Sequence, residues 1–318
     1  MVDTIKVSVI IPTYKRAERL DSAVESVLSQ TYNRVEIVVV DDNDPKSEHR
    51  KITESKMIKY ATNEKVIYVK NKKNLGGSFA RNEGIRVATG EYITFLDDDD
   101  VYLENKISEQ VAYMIENDLE MTFTDLGLYN TEEKLIDYRD FSFIKSFDNR
   151  DLIKYHLTKN LTGTPTFMYK REVLKSIGGF ENSYCGQEFY LMMMTIKGNF
   201  RIGYIPKSNV KAYIHKDEKI SNGEKKIIGE KKLLQFKKQH FNYLTPKEKM
   251  YIYWRYHAVV AVAGKRNSKY FMFTKHSILS FLSSPIVFLN ELFRFTTKLS
   301  KKRTKRGKVH NESVQKNY

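Results

Sequence analysis

The sequence predicts an α/β protein: a mostly parallel sheet flanked by helices over the first two-thirds of the chain, followed by a helical, basic region. Three observations predict it. Apolar runs of strand length alternate with helix-period segments through the first hundred residues. Two of those runs end in acidic turns, at 41–44 and 97–100. The charge is divided: residues 1–215 carry 30 Lys+Arg against 32 Asp+Glu, and residues 216–318 carry 24 against 7, so the formal net charge of +15 belongs to the last third. Such a split separates a near-neutral module from a basic one that docks on something negative. It sets the boundary near 220, with domains 1–220 and 221–318.

The elements follow in order. Residues 7–11 form an apolar run closed by Pro12, and 35–40 another, closed by Asp41-Asp42-Asn43-Asp44-Pro45; both read as buried parallel strands. Between them Leu20, Ala23, Val24, Val27 and Leu28 fall on one helical face. A helix near 47–60, a strand at 66–69, a turn at Gly76-Gly77, a helix to about 88 and a strand at 92–96 continue the rhythm. Beyond 101 the alternation loosens: a helix near 103–117, a strand at 121–124, and an aromatic, charged stretch to about 150. A strand at 166–169, a short helix, a helix over 187–197 and strands near 201–205 and 210–215 complete the module. Past 222 the text is Lys-rich and helical.

Hydrophobic residues at 41%, charged residues at 29%, six prolines and fifteen glycines exclude disorder and fibrous repeats. The single cysteine, Cys185, excludes an intramolecular disulfide framework, and the first residues lack the apolar core of a secretory signal, so a cytoplasmic location is expected.

Candidate chemistry starts at Phe95-Leu96-Asp97-Asp98-Asp99-Asp100, where an apolar strand delivers four carboxylates at the sheet edge that binds ligands in open parallel sheets. Adjacent carboxylates repel, and a hard divalent ion, Mg²⁺ or Mn²⁺, resolves the conflict while leaving positions open for phosphate oxygens. The plainer reading is an acidic loop capping the next helix. Asp41-Asp42 follows another strand, where a carboxylate meets a base or ribose, or serves only as a turn residue. In the segment 74–84 the glycines open a helix and Arg81 is placed to meet a phosphate.

In order and spacing these elements resemble the family 2 glycosyltransferases, whose catalytic module has the GT-A fold. The matching text is VSVIIPTYKR at 7–16, VEIVVVDDND at 35–44, NLGGSFARNEGIRVATGEYITFLDDDD at 74–100 and GGFENSYCGQEFYLMMMTIKGNFRIGYIP at 178–206, roughly residues 5–215 in all. The resemblance implies a nucleoside pocket from Pro12, Thr13, Tyr14, Arg16 and Asp42, with Asp42 facing a uracil-type base. Asn74, Gly77 and Arg81 would complete the donor site. Asp97-Asp98-Asp99 supplies the family's DxD pattern: Asp97 reaches ribose or metal, and Asp99 ligates the metal.

In the family a late acidic pair provides the base that deprotonates the acceptor hydroxyl. Gln187-Glu188 stands there, so Glu188 inherits the role, one methylene longer than the usual aspartate. A base on the face opposite the leaving group inverts the anomeric carbon. His215 lies where many members place a histidine near the metal or diphosphate; a solvated loop histidine is the other reading. The arginine usual after the acidic pair is replaced by Met192-Met193-Met194, which removes one acceptor-side or phosphate contact. The QxxRW pattern of processive synthases is absent, Trp254 being the sole tryptophan, so transfer of one sugar is expected. Cys185 has only its adjacency to Gln187-Glu188 to suggest a nucleophile, and reads as a small lining or buried side chain.

The last third contains the uncharged segment 277–290, which is shorter than the about 20 apolar residues of a spanning helix and is broken by Pro285. With Lys298, Lys301, Lys302, Arg303, Lys305, Arg306 and Lys308 behind it, it fits an interfacial segment on an anionic membrane at the cytoplasmic face. An oligomerisation element with a solvated tail is the other reading. Nucleic acid is not expected as a partner, because no recognisable module carries the basic residues.

The expected function is thus inverting, metal-dependent transfer of a single sugar from a nucleoside-diphosphate donor, a UDP-sugar, to a glycan or lipid-linked acceptor in surface polysaccharide or glycoconjugate synthesis. The alternatives are a sugar-nucleotide-forming nucleotidyltransferase, which would carry a glycine-rich activating loop where this chain has Pro12-Thr13-Tyr14-Lys15-Arg16, and a non-enzymatic membrane-associated adaptor.

Overall fold

The computed structural model describes residues 4–183, 185–214 and 224–293. The chain divides into two compact units, the first running to Ile220 and the second beginning at Ser221.

The strands of the first unit are β1 (Val7–Thr13), β2 (Val35–Asp41), β3 (Val66–Lys70), β4 (Tyr92–Phe95), β5 (Val101–Tyr102), β6 (Met121–Thr124), β7 (Leu126–Tyr129), β8 (Leu135–Arg139), β9 (Met168–Lys170), β10 (Ile202–Ile205) and β11 (Val210–Tyr213). Its helices are α1 (Ala17–Leu28), α2 (Glu48–Met57), α3 (Gly77–Val87), α4 (Lys106–Glu116), α5 (Asn149–Lys159), α6 (Arg171–Ser176) and α7 (Gln187–Lys197). Seven strands form the main sheet in the order β10-β6-β9-β4-β1-β2-β3, and a second sheet runs β5-β11-β7-β8. All neighbours in the main sheet are parallel except β9, which runs antiparallel between β4 and β6.

The core sits on β1, β2 and β4, whose apolar runs are buried because helices cover both faces. Ile10 lies opposite Val38 on one side and Phe95 on the other. Leu20, Ala23, Val24 and Val27, at helical spacing, bury one face of α1. A Cβ at Gly84 would run into the Ile10 side chain, so the glycine is what lets α3 lie close on β1.

Pro12 does not close the first strand. β1 continues through it to Thr13, with Pro12 paired to Val40. By then β4 has ended its pairing at Ile10–Phe95, so the amide hydrogen that proline lacks is not needed on that side. The loosely patterned stretch after 124 holds β7, β8 and α5. Every residue of β8 is exposed, which erases the alternation that marks a half-buried strand. The buried face of α5 includes His156 and Thr158 beside Leu152, Ile153 and Leu157, which blurs its apolar period.

The second unit contains α8 (Glu224–Lys238), α9 (Pro246–Arg266), α10 (Tyr270–Ser283) and a helical segment over Pro285–Phe293. Thr245 starts α9 with a capping box: its side chain accepts from the Glu248 amide while the Glu248 carboxylate accepts from the Thr245 amide at 2.9 Å. The close packing of α9 on α10 passes over Gly264, where a Cβ would stand 3.1 Å from the Phe273 nitrogen. No single described helix is long and apolar enough to cross a membrane; Tyr270–Ser283 and Pro285–Phe293 together meet that test of length and composition, bent by 115° at the break.

Candidate active site

With β2 on one flank of β1 and β4 on the other, the segments leaving the C-terminal ends of β1 and β4 border the crevice in which open α/β sheets bind ligands. The first delivers Thr13 to Arg16 and the second Asp97 to Asp100. Arg16 Nη2 lies 2.9 Å from an oxygen of the fully buried Asp98, and Nη1 of the same guanidinium bonds Asp99. Arg81, from α3, places Nη2 2.5 Å from Asp97 and donates through Nη1 to Oε1 of Gln187 at 3.2 Å. The Phe180 ring lies beneath its guanidinium, 5.5 Å to the centroid.

Three adjacent carboxylates are therefore met by two arginines. Burial pushes the Asp98 carboxyl up to about 7 against the opposing pull of Arg16. Asp100 is also buried and raised, chiefly by desolvation, and accepts from the Tyr213 amide at 2.9 Å. The sequence pattern calls for a cation to relieve this repulsion; in the structure arginine side chains supply positive charge. Among the described residues no group of three or more His, Cys, Asp or Glu side chains converges as a metal-binding set.

Asp42 ties down the entry to α3. Its carboxylate accepts from the amides of Leu75 at 2.9 Å and Gly76 at 2.8 Å and from the Asn71 side chain at 2.8 Å, while Asn74 donates to its carbonyl at 3.2 Å. Gly76 has φ +86, which a side chain would strain. At Gly77 a Cβ would stand 3.2 Å from Arg81 Nη1, so the glycine leaves room for that guanidinium. Beneath lies a network the sequence did not reveal: Asp41 accepts from the Tyr68 hydroxyl at 2.5 Å and faces Arg50 Nε at 3.1 Å. Thr13 is buried, and Lys15 lies over the Tyr14 ring, 5.1 Å from its centroid.

Glu188 stands in the first turn of α7, which begins at Gly186 in a left-handed conformation with φ +71. It is half-buried, and its carboxylate makes no hydrogen bond or ion pair with another described residue. The approach to this helix is pinned to α3: Asn82 bonds both the carbonyl and the amide of Phe180 at 2.8 Å, and Ser78 donates to the Glu181 carbonyl at 2.8 Å. On its other side, His156 takes the Leu161 amide on Nδ1 at 3.1 Å, which leaves Nε2 as the donor to the Phe189 carbonyl at 2.9 Å. Cys185 is half-buried and forms no disulfide.

Arg16 thus meets Asp98 and Asp99 directly, and Arg81 meets Asp97 and Gln187. Asp42, Asn74 and Gly77 hold the neighbouring loop and helix start rather than bonding the aspartates. Pro12 and Tyr14 lie on the strand end and turn that lead to Arg16. His215 lies outside the described residues, as do the basic residues 298–308.

The family model for glycosyl transferase family 2 matches residues 8–178, more than half of the chain. The chain belongs to glycosyl transferase family 2. This glycosyltransferase is 30% identical over 203 residues to the Escherichia coli UDP-Glc:alpha-D-GlcNAc-diphosphoundecaprenol beta-1,3-glucosyltransferase WfgD, covering 62% of this chain and 72% of that one. It is 37% identical over 132 residues to an uncharacterized glycosyltransferase of Rickettsia bellii, covering 42% of this chain but only 18% of that protein. The structure of Staphylococcus aureus TarS 1–349 in complex with UDP-GlcNAc superposes with a TM-score of 0.57 at 18% identity, over 87% of this chain and 91% of that one. The fold is therefore GT-A, with the mostly parallel sheet described above. The glycosyltransferase is an enzyme, which separates it from a non-enzymatic adaptor, and its family separates it from a nucleotidyltransferase.

Proposed function

We propose that this glycosyltransferase moves a single sugar from a UDP-sugar to an acceptor hydroxyl with inversion, using Glu188 as base and Mg²⁺ or Mn²⁺ held by Asp97 and Asp99. The observation that carries the reading is the pairing of Arg16 and Arg81 with Asp97, Asp98 and Asp99 at the end of β4. A diphosphate would compete with the carboxylates for both guanidiniums, since planar arginine forks bind phosphate oxygens well. The carboxylates so released offer hard oxygen donors only, a set that fits a divalent cation. Such an ion, when bound, neutralises charge gathering on the departing diphosphate.

The chain's own groups divide the remaining work. Arg81, fixed over Phe180 and beside Gln187, orients the diphosphate, while the loop held by Asp42 shapes the nucleoside side. Glu188 has no side-chain partner among the described residues, so its carboxylate is left to take the acceptor's proton. The hydroxyl oxygen forms its bond to the anomeric carbon as the bond to the diphosphate oxygen breaks. The proton passes to Glu188, and the electron pair leaves with UDP.

WfgD carries UDP-Glc and a diphosphoundecaprenol-linked GlcNAc in its name, and TarS was solved with UDP-GlcNAc. Both support a UDP-sugar donor, and the first supports a lipid-linked glycan acceptor in polysaccharide or glycoconjugate synthesis. The test is a panel of UDP- and GDP-sugars with diphospho-lipid-linked acceptors, with and without Mn²⁺. Expected is metal-dependent release of UDP and a product of inverted anomeric configuration. Retention of configuration, or equal transfer in chelator, overturns the reading.

A further inference from the structure

The second unit carries a surface that its own packing does not use. In α10 the residues that meet α9 recur at helical spacing. The ring of Phe273 takes Lys265 Nζ 5.6 Å from its centroid, His276 Nδ1 lies 3.0 Å from His257 Nδ1, and Ser280 donates to the Trp254 carbonyl at 3.4 Å. At about 100° per residue, Phe271, Ile278 and Leu282 lie on the opposite side of the helix from that stripe. They are exposed, Phe271 to 84% and Leu282 to 63%. Past the 115° bend, Ile286 and Leu289 repeat the pattern, with Ile286 exposed to 75%.

A helix that keeps large apolar side chains on its open side calls for an apolar medium to cover them. Two features decide which. Lys275 and Glu291 are the only charged residues from 270 to 293, so the surface has almost no ionic pattern with which to select a protein partner. The sequence then changes abruptly, with seven lysines and arginines between 298 and 308. An apolar surface on two short, bent helices, followed at once by a concentrated positive charge, matches the interface of an anionic bilayer: acyl chains take the first and headgroups the second.

We propose that the outer face of α10 and the Pro285–Phe293 segment is a docking surface for anionic lipid bilayers, lying in the interface rather than crossing the membrane. It seats the enzyme where a lipid-linked acceptor presents its sugar. The surface itself is inferred independently of the donor and metal assignments.

The test is cosedimentation of the full-length protein with vesicles of phosphatidylcholine alone or mixed with phosphatidylglycerol, beside the variants Phe271→Asp and Ile286→Asp. Binding to the phosphatidylglycerol vesicles is expected to exceed that to phosphatidylcholine by at least about tenfold, and to fall at high salt. Each variant should weaken it by about tenfold or more. UDP binding by the same variants should be unchanged, which shows that the catalytic unit is folded. Three results overturn the proposal: a protein left in the supernatant with the anionic vesicles, variants that bind as well as the parent, or a lipid-independent oligomer that both variants dissociate. The last would make this face a contact between copies of the chain.

Discussion

Arg81 Nη2 lies 2.5 Å from Oδ1 of Asp97, joining α3 to the end of β4 across the mouth of the crevice. The same guanidinium reaches Gln187 at the start of α7, so one side chain links three elements of the site. Replacing it with lysine keeps the charge but loses the fork, since an ammonium cannot hold both partners in one plane. Arg81→Lys is expected to weaken UDP binding by about tenfold or more while the melting temperature falls little. Calorimetric titration with UDP, beside a thermal melt, checks it; unchanged affinity would remove Arg81 from the donor site.

Glu188, the next residue after Gln187, is half-buried and has no side-chain partner among the described residues. Glu188→Gln preserves shape and removes only the ability to take a proton. Transfer should fall by about 10²–10⁴-fold with UDP affinity retained. Glu188→Asp shortens the side chain by one methylene and should keep part of the rate. Comparable turnover in the glutamine variant assigns the proton to another group.

Gly84 sets the height of α3 above β1. In Gly84→Ala the new methyl meets Ile10, whose neighbours Val38 and Phe95 leave it little space to retreat. A loss of about 1–3 kcal/mol of stability is expected, together with weaker UDP binding, because α3 also carries Gly77 and Arg81. Urea denaturation measures the first and titration the second. A variant as stable as the parent would show that the sheet yields easily here.

Glu36 gives the fold an acid limit. Burial alone would raise its carboxyl, but bonds from Lys6, Ser8 and Thr89 outweigh that and bring it down to about 2 from 4.5. A depressed carboxyl stabilises the fold above the unfolded value, and that contribution drains away as pH falls from 4.5 towards 2. Glu36→Gln should therefore cost about 2 kcal/mol at neutral pH and flatten the acid limb of the stability curve. Urea midpoints from neutral pH down into that window test the sign; an unaltered acid limb would contradict the assignment.

Much of this was legible before the structure. The strands β1, β2 and β4 are apolar runs long enough to recognise, and the acidic turns after β2 and β4 name their own sheet edge. What the sequence hid are contacts made across long separations. Nothing in Arg16 announces that it meets Asp98 and Asp99, 82 and 83 residues on. Nor does Arg50 show that its guanidinium braces Asp41 and the carbonyls of Asn43 and Asn71 from beneath. Gln187 looked like a departure from an acidic pair, yet its amide oxygen is an acceptor for Arg81, a job that needs no charge. β8 stayed hidden for a different reason, since a strand exposed at every position leaves no hydrophobic period to read.

The central claim is that the aspartates closing β4 exchange their arginine partners for a divalent ion when a nucleoside diphosphate arrives. Isothermal titration of UDP with and without Mn²⁺, in the parent and in Asp99→Asn, measures this directly. Mn²⁺ is expected to tighten UDP binding at least about tenfold in the parent, and Asp99→Asn to abolish the gain. Equal UDP affinity with and without the metal, or an undiminished gain in Asp99→Asn, would contradict it.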